Sequence, residues 1–149
     1  MRTFDYRHVV CFQETNVVGN VYFAHHLAWQ GRCRESFLRE RCPTVASAVA
    51  GGSLFLATRH ASCRYHHEVA AFDEIVVGMA LIDLRLNELT LGFVYRRGDE
   101  TVAVGEQGIA CLVRRPDPVS GRAIAEPVPV PDALLEALRP YRQELRHGR

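Results

Sequence analysis

The stretch FQETNVVGNVYFAHHLAWQGRCRESFL, residues 12–38, sets a turn bearing Asn and Gly directly ahead of a helical pattern that carries an arginine among apolar residues. Projected at roughly 100° per residue, Phe23, Leu27, Gln30, Arg34, Phe37, Leu38 and Arg41 fall within about 60° of one direction, with Arg34 at the middle. Arg32 points the opposite way, beside His25, Ser36 and Arg39. A buried guanidinium keeps its charge and is costly unless it is paired. Two readings of Arg34 follow. It pairs with an internal carboxylate such as Glu14, Glu106 or Asp83 or snorkels to an edge, or it contacts an anionic or carbonyl group of a ligand. In the turn, Gly19 and Asn20 can aim backbone N–H groups from a helix N-terminus, where partial positive charge favours an oxyanion. Asn16 can donate through its amide and hold a water through its oxygen. Asn and Gly are also the commonest turn formers, so plain turn chemistry stands beside the chemical reading.

Other chemistries find less support. The five cysteines, Cys11, Cys33, Cys42, Cys63 and Cys111, are odd in number and lack the spacing of a zinc or redox motif. Each lies among apolar neighbours, where a reduced thiol acts as a small hydrophobe. The pairs His25-His26 and His66-His67 direct their side chains apart in a helix or a strand, so neither chelates a metal. Ser53, in GGSLF, lacks the second glycine of a nucleophile elbow, and Cys33 has no placed base. No metal, cofactor or covalent acyl-enzyme is expected. A formal net charge of +1 gives no dominant basic surface for nucleic acid. No apolar run approaches the roughly 18 residues of a membrane span, and MRTFDYRHVV lacks the apolar core of a signal peptide. A cytoplasmic protein without nucleic-acid or membrane partners is expected.

The elements that must position these groups fall in a simple order. At 149 residues, 48% of them apolar and 23% charged, the chain has the size and balance of one globular domain, residues 1–149. Residues 3–12 read as a strand and 13–20 as a turn. A helix runs from Val21 to about Arg41 and is closed by Pro43. A small-residue connection, TVASAVAGG, leads to strand-like runs at about 54–67, 74–86, 88–97 and 101–115. The run LTLGFVY alternates, with Leu89, Leu91, Phe93 and Tyr95 on one face. Residues 116–131 are Pro-rich and irregular, and Asp132 caps a C-terminal helix over about 132–147 that Pro140 ends or kinks. One strand, one long helix and four antiparallel strands make an α+β domain. The simplest burial of such a helix is a hot-dog, a curved five-stranded antiparallel sheet wrapped around it. The open sheet edge predicts a homodimer or homotetramer.

Three motifs carry a resemblance. F-x-E-x-N-x-x-G-N-V-Y-F, then W-Q-G-R-C-R-E on the helix, resemble the signature region of hydroxybenzoyl-CoA-type hot-dog thioesterases. With the strand FLATRHASCRYHHEV they are more similar to the thioesterases of enediyne polyketide pathways, over nearly the whole chain. On this match Glu14 takes the place of the first acid, Asn16 that of the catalytic Asp and Gly19 that of the oxyanion-hole glycine. The enediyne subfamily shares the Asn and relies on a helix arginine, which corresponds to Arg34. His26 departs from the pattern, since the relatives tend to carry Tyr there, so the acyl channel differs in shape or polarity.

The resemblance implies hydrolysis of the polyketide acyl thioester carried by the acyl carrier protein domain of an iterative synthase, releasing a linear polyene or a β-keto or β-hydroxy acid. Asn16, Arg34 and Gly19 become the expected catalytic residues, with Thr58 as a group that holds the water. Val18, Asn20, Tyr22, Phe23, His26 and Leu27 become the expected substrate-binding residues. A general acyl-CoA thioesterase and a non-catalytic acyl-binding protein of the same fold stay open.

Overall fold

The structure, a computed structural model, describes residues 2–144. Strand β1 (Phe4–Val9) leads through a 3-10 turn (Phe12–Glu14) and a small loop into helix α1 (Ala24–Arg41). Then come α2 (Pro43–Ala50), β2 (Phe55–Tyr65), β3 (Glu74–Leu84), β4 (Glu88–Arg97), β5 (Glu100–Pro116), β6 (Ala123–Pro127) and α3 (Asp132–Leu138). The strands pair antiparallel in the order β1-β3-β4-β5-β2, and β6 joins β5 at residues 112–116. This is the expected curved sheet around one long helix. A sixth short strand, β6, occupies part of the segment read as irregular.

Alternation builds the face that covers α1. Ile75, Val77, Met79 and Leu81 of β3, Leu89, Leu91, Phe93 and Tyr95 of β4, and Ile109 and Cys111 of β5 are all buried. The ladders break register between Thr58 and His60, between Leu81 and Asp83, and between Tyr95 and Arg96. Such bulges bend a strand and raise its twist, which curls the sheet.

From α1, the residues His26, Trp29, Gln30, Cys33 and Phe37 are buried, at the spacing of one helical stripe. This stripe is rotated from the one read in the sequence. Phe23 precedes the helix and is exposed, Leu27 is half-buried, Arg41 is exposed, and Arg34 lies on the flank of the buried face instead of its middle. The projection weighed apolar character, whereas His26, Trp29 and Gln30 are buried through their ring or amide surfaces. The helix also begins later than Val21. The Val21 N–H donates to the Val69 carbonyl at 2.7 Å, and Val21 bridges to Thr15, so its backbone is extended.

Two further expectations change. TVASAVAGG is mostly helix α2, with Pro43 in its first turn, where the missing N–H would have no intrahelical acceptor anyway. At the C-terminus α3 stops at Leu138 and tightens into a 3-10 turn over Arg139–Tyr141; residues 145–147 of the longer helix lie outside the described residues. Pro131 occupies the N-cap, and Asp132, in the first turn, makes no capping side-chain bond. Tyr141 packs edge-on against Phe4 and Phe37, ring centroids 6.0 Å away in each case, which fastens this end of the chain over the core.

Gln30 is wholly buried and donates through Nε2 to the Ser62 carbonyl at 2.9 Å. It fits there because position 105 is glycine: a Cβ on Gly105 would collide with Gln30 Nε2 and the Ser62 carbonyl oxygen. Gly105→Ala is therefore expected to destabilise by about 1–3 kcal/mol through overpacking. Urea unfolding checks it as a lowered midpoint at unchanged slope.

Candidate active site

The loop before α1 is held by a buried carboxylate. Glu14 accepts hydrogen bonds from Trp29 Nε1 at 2.7 Å, from the Cys11 N–H at 3.0 Å, and from His8 Nε2 at 2.8 and 3.0 Å. The Tyr6 hydroxyl lies 3.2 Å from His8 Nδ1 on the other side of the ring. Burial alone would raise the Glu14 pKa, but these hydrogen bonds outweigh it and lower the value to about 2. Glu14 is thus an anchor for the loop, and Arg34 is not its partner.

Beyond this anchor the chain makes a small hairpin. Asn16 N–H donates to the Asn20 carbonyl at 2.7 Å, Gly19 N–H to the Asn16 carbonyl at 2.9 Å, and Tyr22 N–H to the Glu14 carbonyl at 2.9 Å. Gly19 sits at φ +98°, a conformation that side chains rarely adopt. Its N–H closes the turn, so any backbone donor to a ligand oxyanion has to come from elsewhere in the loop or from the first turn of α1. Beside the hairpin lies a cavity of about 380 Å³ lined by Asn16, Asn20, Val21, Phe23, His26, Tyr65, His66, His67, Glu68 and Val69. The Asn16 amide reaches Asn20 Oδ1 at 3.2 Å.

Arg34 forms a second cluster. Its Nη1 donates to Thr58 Oγ1 at 3.0 Å and to Gln107 Oε1 at 3.1 Å. Neither expected type of carboxylate partner is present: none of the ion pairs among the described residues includes Arg34. Burial pulls its pKa down, with Glu35 opposing, yet a guanidinium stays charged. Phe37, Leu38, Leu56, Leu89, Leu91 and Ile109 line a closed apolar seam against the Arg34 side chain. The result is a cation held by neutral dipoles at the edge of the core.

The expected residues therefore divide. Asn16, Asn20, Phe23 and His26 share the cavity, while Arg34 and Thr58 share the other cluster. Arg34 follows His26 by eight positions, about 12 Å along a helix, so one protomer holds the two groups apart. Thr58 is engaged by Arg34 instead of standing free to hold a water. Val18 and Tyr22 are exposed on the loop, and Leu27 is half-buried on α1. Sequence reasoning missed Gln107, although a polar residue in step with Ile109 and Cys111 on an apolar strand face was a legible signal. It also missed the contribution of Tyr65, His66, His67 and Glu68 to the cavity.

The buried groups predict a pH profile. Burial, helped by the charge of His25 and opposed by Glu14, lowers the His26 pKa to about 4. An unfolded chain takes up this proton near the ordinary value of 6.5. The contribution of His26 to stability is therefore complete above pH 6.5 and is lost as pH falls toward 4. Glu14, ionised down to about 2 in the native state against 4.5 ordinarily, contributes fully above pH 4.5 and loses its share between 4.5 and 2. Each window is worth at most about 3 kcal/mol. Urea unfolding across pH 7 to 3 is expected to show His26→Phe flattening the upper decline and Glu14→Gln only the lower one. An upper decline unchanged in His26→Phe would contradict the assignment.

Comparison with known proteins places this geometry in a family. The profile of the Thioesterase-like superfamily matches residues 10–138. A structure of the dynemicin thioesterase, described as revealing induced-fit and allosteric effects upon polyene binding, is 42% identical, covers 95% of this chain and 98% of its own, and superimposes with TM-score 0.86. A 1,4-dihydroxy-2-naphthoyl-CoA thioesterase from Synechocystis shares the fold at 19% identity, covering 92% and 96% of the two chains, with TM-score 0.77. A gentisyl-coenzyme A thioesterase does so at 16% identity, 91% and 98% coverage and TM-score 0.74. A comparison with curated proteins finds no match. Matched along most of its length by the family profile and by the dynemicin enzyme, the chain belongs to the thioesterase-like superfamily of hot-dog enzymes.

Proposed function

We propose that this thioesterase hydrolyses the acyl thioester that an iterative polyketide synthase of an enediyne pathway assembles on its acyl carrier protein, releasing a linear polyene or β-keto acid. The observation that carries the reading is Arg34, a desolvated cation whose hydrogen-bond partners, Thr58 and Gln107, are both neutral. Its charge is available to an oxyanion. The identity with the dynemicin thioesterase, and the polyene binding described for that protein, support the substrate class.

A thioester is activated enough for this equipment. Water attacks the carbonyl carbon, the electron pair of the C=O collects on oxygen, and Arg34 stabilises that charge. Collapse of the tetrahedral intermediate breaks the C–S bond; the carboxylic acid leaves, and the thiolate sulfur gains the water's proton. Asn16 orients the water or the thioester, and being an amide it does not serve as base.

The separation of Arg34 from the Asn16 cavity is resolved by a homodimer. β2 is an edge strand, paired to β5 on one side only among the described residues. Thr58 lies toward one end of it and Tyr65, which lines the Asn16 cavity, at the other. Antiparallel pairing of two β2 edges about their middle lays the Thr58 end of one strand against the Tyr65 end of its mate. The arginine cluster of each protomer then serves the cavity of the other. Further association of such dimers gives the homotetramer.

Single-turnover hydrolysis of one acyl group, presented on the carrier protein and on coenzyme A, tests the function. Faster release from the carrier protein is expected. Equal rates would favour a general acyl-CoA thioesterase, and binding without turnover a non-catalytic acyl-binding protein. Arg34→Ala is expected to lose about 2–4 kcal/mol of transition-state stabilisation, with folding stability changed little, because the two lost hydrogen bonds are offset by relief of a buried charge. Arg32→Ala, on the exposed face, is the control. Mixing Asn16→Ala with Arg34→Ala protein tests the shared site. Random dimers that share sites recover about a quarter of wild-type activity, since half are mixed and each mixed dimer holds one intact site of two. Sites confined to single protomers recover none.

A further inference from the structure

His26 is a polar side chain in a setting that suits an apolar one. It is 3% exposed, and neither ring nitrogen has a hydrogen-bond partner among the described residues. The polar groups around it are committed elsewhere. The Tyr65 hydroxyl donates to the Phe23 carbonyl at 2.7 Å, the Tyr95 hydroxyl to the His26 backbone carbonyl at 2.6 Å, and Trp29 Nε1 to Glu14 at 2.7 Å. Their rings nevertheless enclose the imidazole, with centroids 4.8 Å away for Trp29 and Tyr65 and 5.5 Å for Tyr95. A phenyl ring would fill this space without stranding a donor and an acceptor, and buried polar groups in folded proteins are nearly always paired. The same residue forms part of the wall of the cavity that holds Asn16 and Asn20. Both ring nitrogens are shut off from that cavity in the structure, and rotation about the Cβ–Cγ bond, a broad torsion in histidine, is the movement that would bring one of them to it.

We propose that His26 sets the specificity of the Asn16 cavity by pairing with an oxygen substituent, such as a hydroxyl, on the acyl chain. The inference rests on the thioesterase reading of this cavity and names the substrate feature that it selects. With its pKa lowered to about 4 the imidazole is neutral at working pH, so it presents one N–H and one bare nitrogen. A hydroxyl satisfies whichever nitrogen faces it, by accepting or by donating. A carbonyl satisfies the N–H, which the free tautomer can present from either nitrogen, and a hydrocarbon satisfies neither. Sites built around a buried hydrogen-bonding group reject an analogue that lacks the matching oxygen far more strongly than apolar pockets reject an added one.

The test compares 3-hydroxyoctanoyl and octanoyl thioesters of N-acetylcysteamine in the wild type, His26→Phe and His26→Gln. The ratio of the two kcat/KM values cancels any loss common to both substrates. The wild type is expected to favour the hydroxylated chain. His26→Phe is expected to lower the ratio about tenfold or more, and His26→Gln, which keeps a donor and an acceptor, to restore part of it. A ratio unchanged in His26→Phe overturns the proposal. Absence of turnover with either substrate would count against the hydrolytic reading alone. Calorimetry with 3-hydroxyoctanoate and octanoate then reads the same contrast. Tighter wild-type binding of the hydroxy acid, lost in His26→Phe, sustains the proposal, and equal affinity or no binding overturns it.

Discussion

The carboxylate of Glu14 is the point on which the front of this molecule depends. It lies between the end of β1, the 3-10 turn and α1, and takes a hydrogen bond from each: His8, the Cys11 N–H and Trp29. A buried carboxylate with fewer donors would take up a proton or force the turn open. Fully bonded, it ties the hairpin that carries Asn16 and Gly19 to the helix that carries His26 and Arg34. Against the burial that raises it, these donors and the charge of His8 lower the Glu14 pKa to about 2.

Charge is handled differently at Arg34. Glu14 is neutralised by donors from all sides, whereas the guanidinium leans on a threonine hydroxyl and an amide oxygen that soften its desolvation without cancelling its charge. One buried ion is therefore structural and the other retains a field directed outward. The oxyanion role proposed for Arg34 draws on that second kind of ion, because charge that no internal partner has absorbed stabilises developing negative charge.

Much of this was legible in the sequence, and most of the exceptions share a cause. The strands declared themselves through period-two alternation in Leu89, Leu91, Phe93 and Tyr95, and the bounds of β3 and β4 lay close to the runs read at 74–86 and 88–97. The motif residues Asn16, Gly19 and Arg34 could be singled out before any coordinates. What escaped was set by tertiary contacts. The start of α1 was moved by a hydrogen bond from Val21 to Val69, and its buried face was turned by Trp29 and His26, whose rings bury well despite their polar atoms. Helix α2 was hidden because Ala, Ser and Val in a short run suit a helix or a connection equally. Gln107 and Tyr65 reached the sites from strands far along the chain, which no local pattern reports.

Gln30 and Gly105 form one fitted pair: the buried amide occupies the volume that any side chain at position 105 would claim. In evolutionary terms the glycine is the more constrained of the two. The Ser62 backbone carbonyl bars a side chain at 105 whatever stands at 30, while a smaller residue at 30 leaves a void above the glycine and the Ser62 carbonyl without its side-chain donor. Descendants of this sequence are therefore expected to keep the glycine even where the glutamine is replaced.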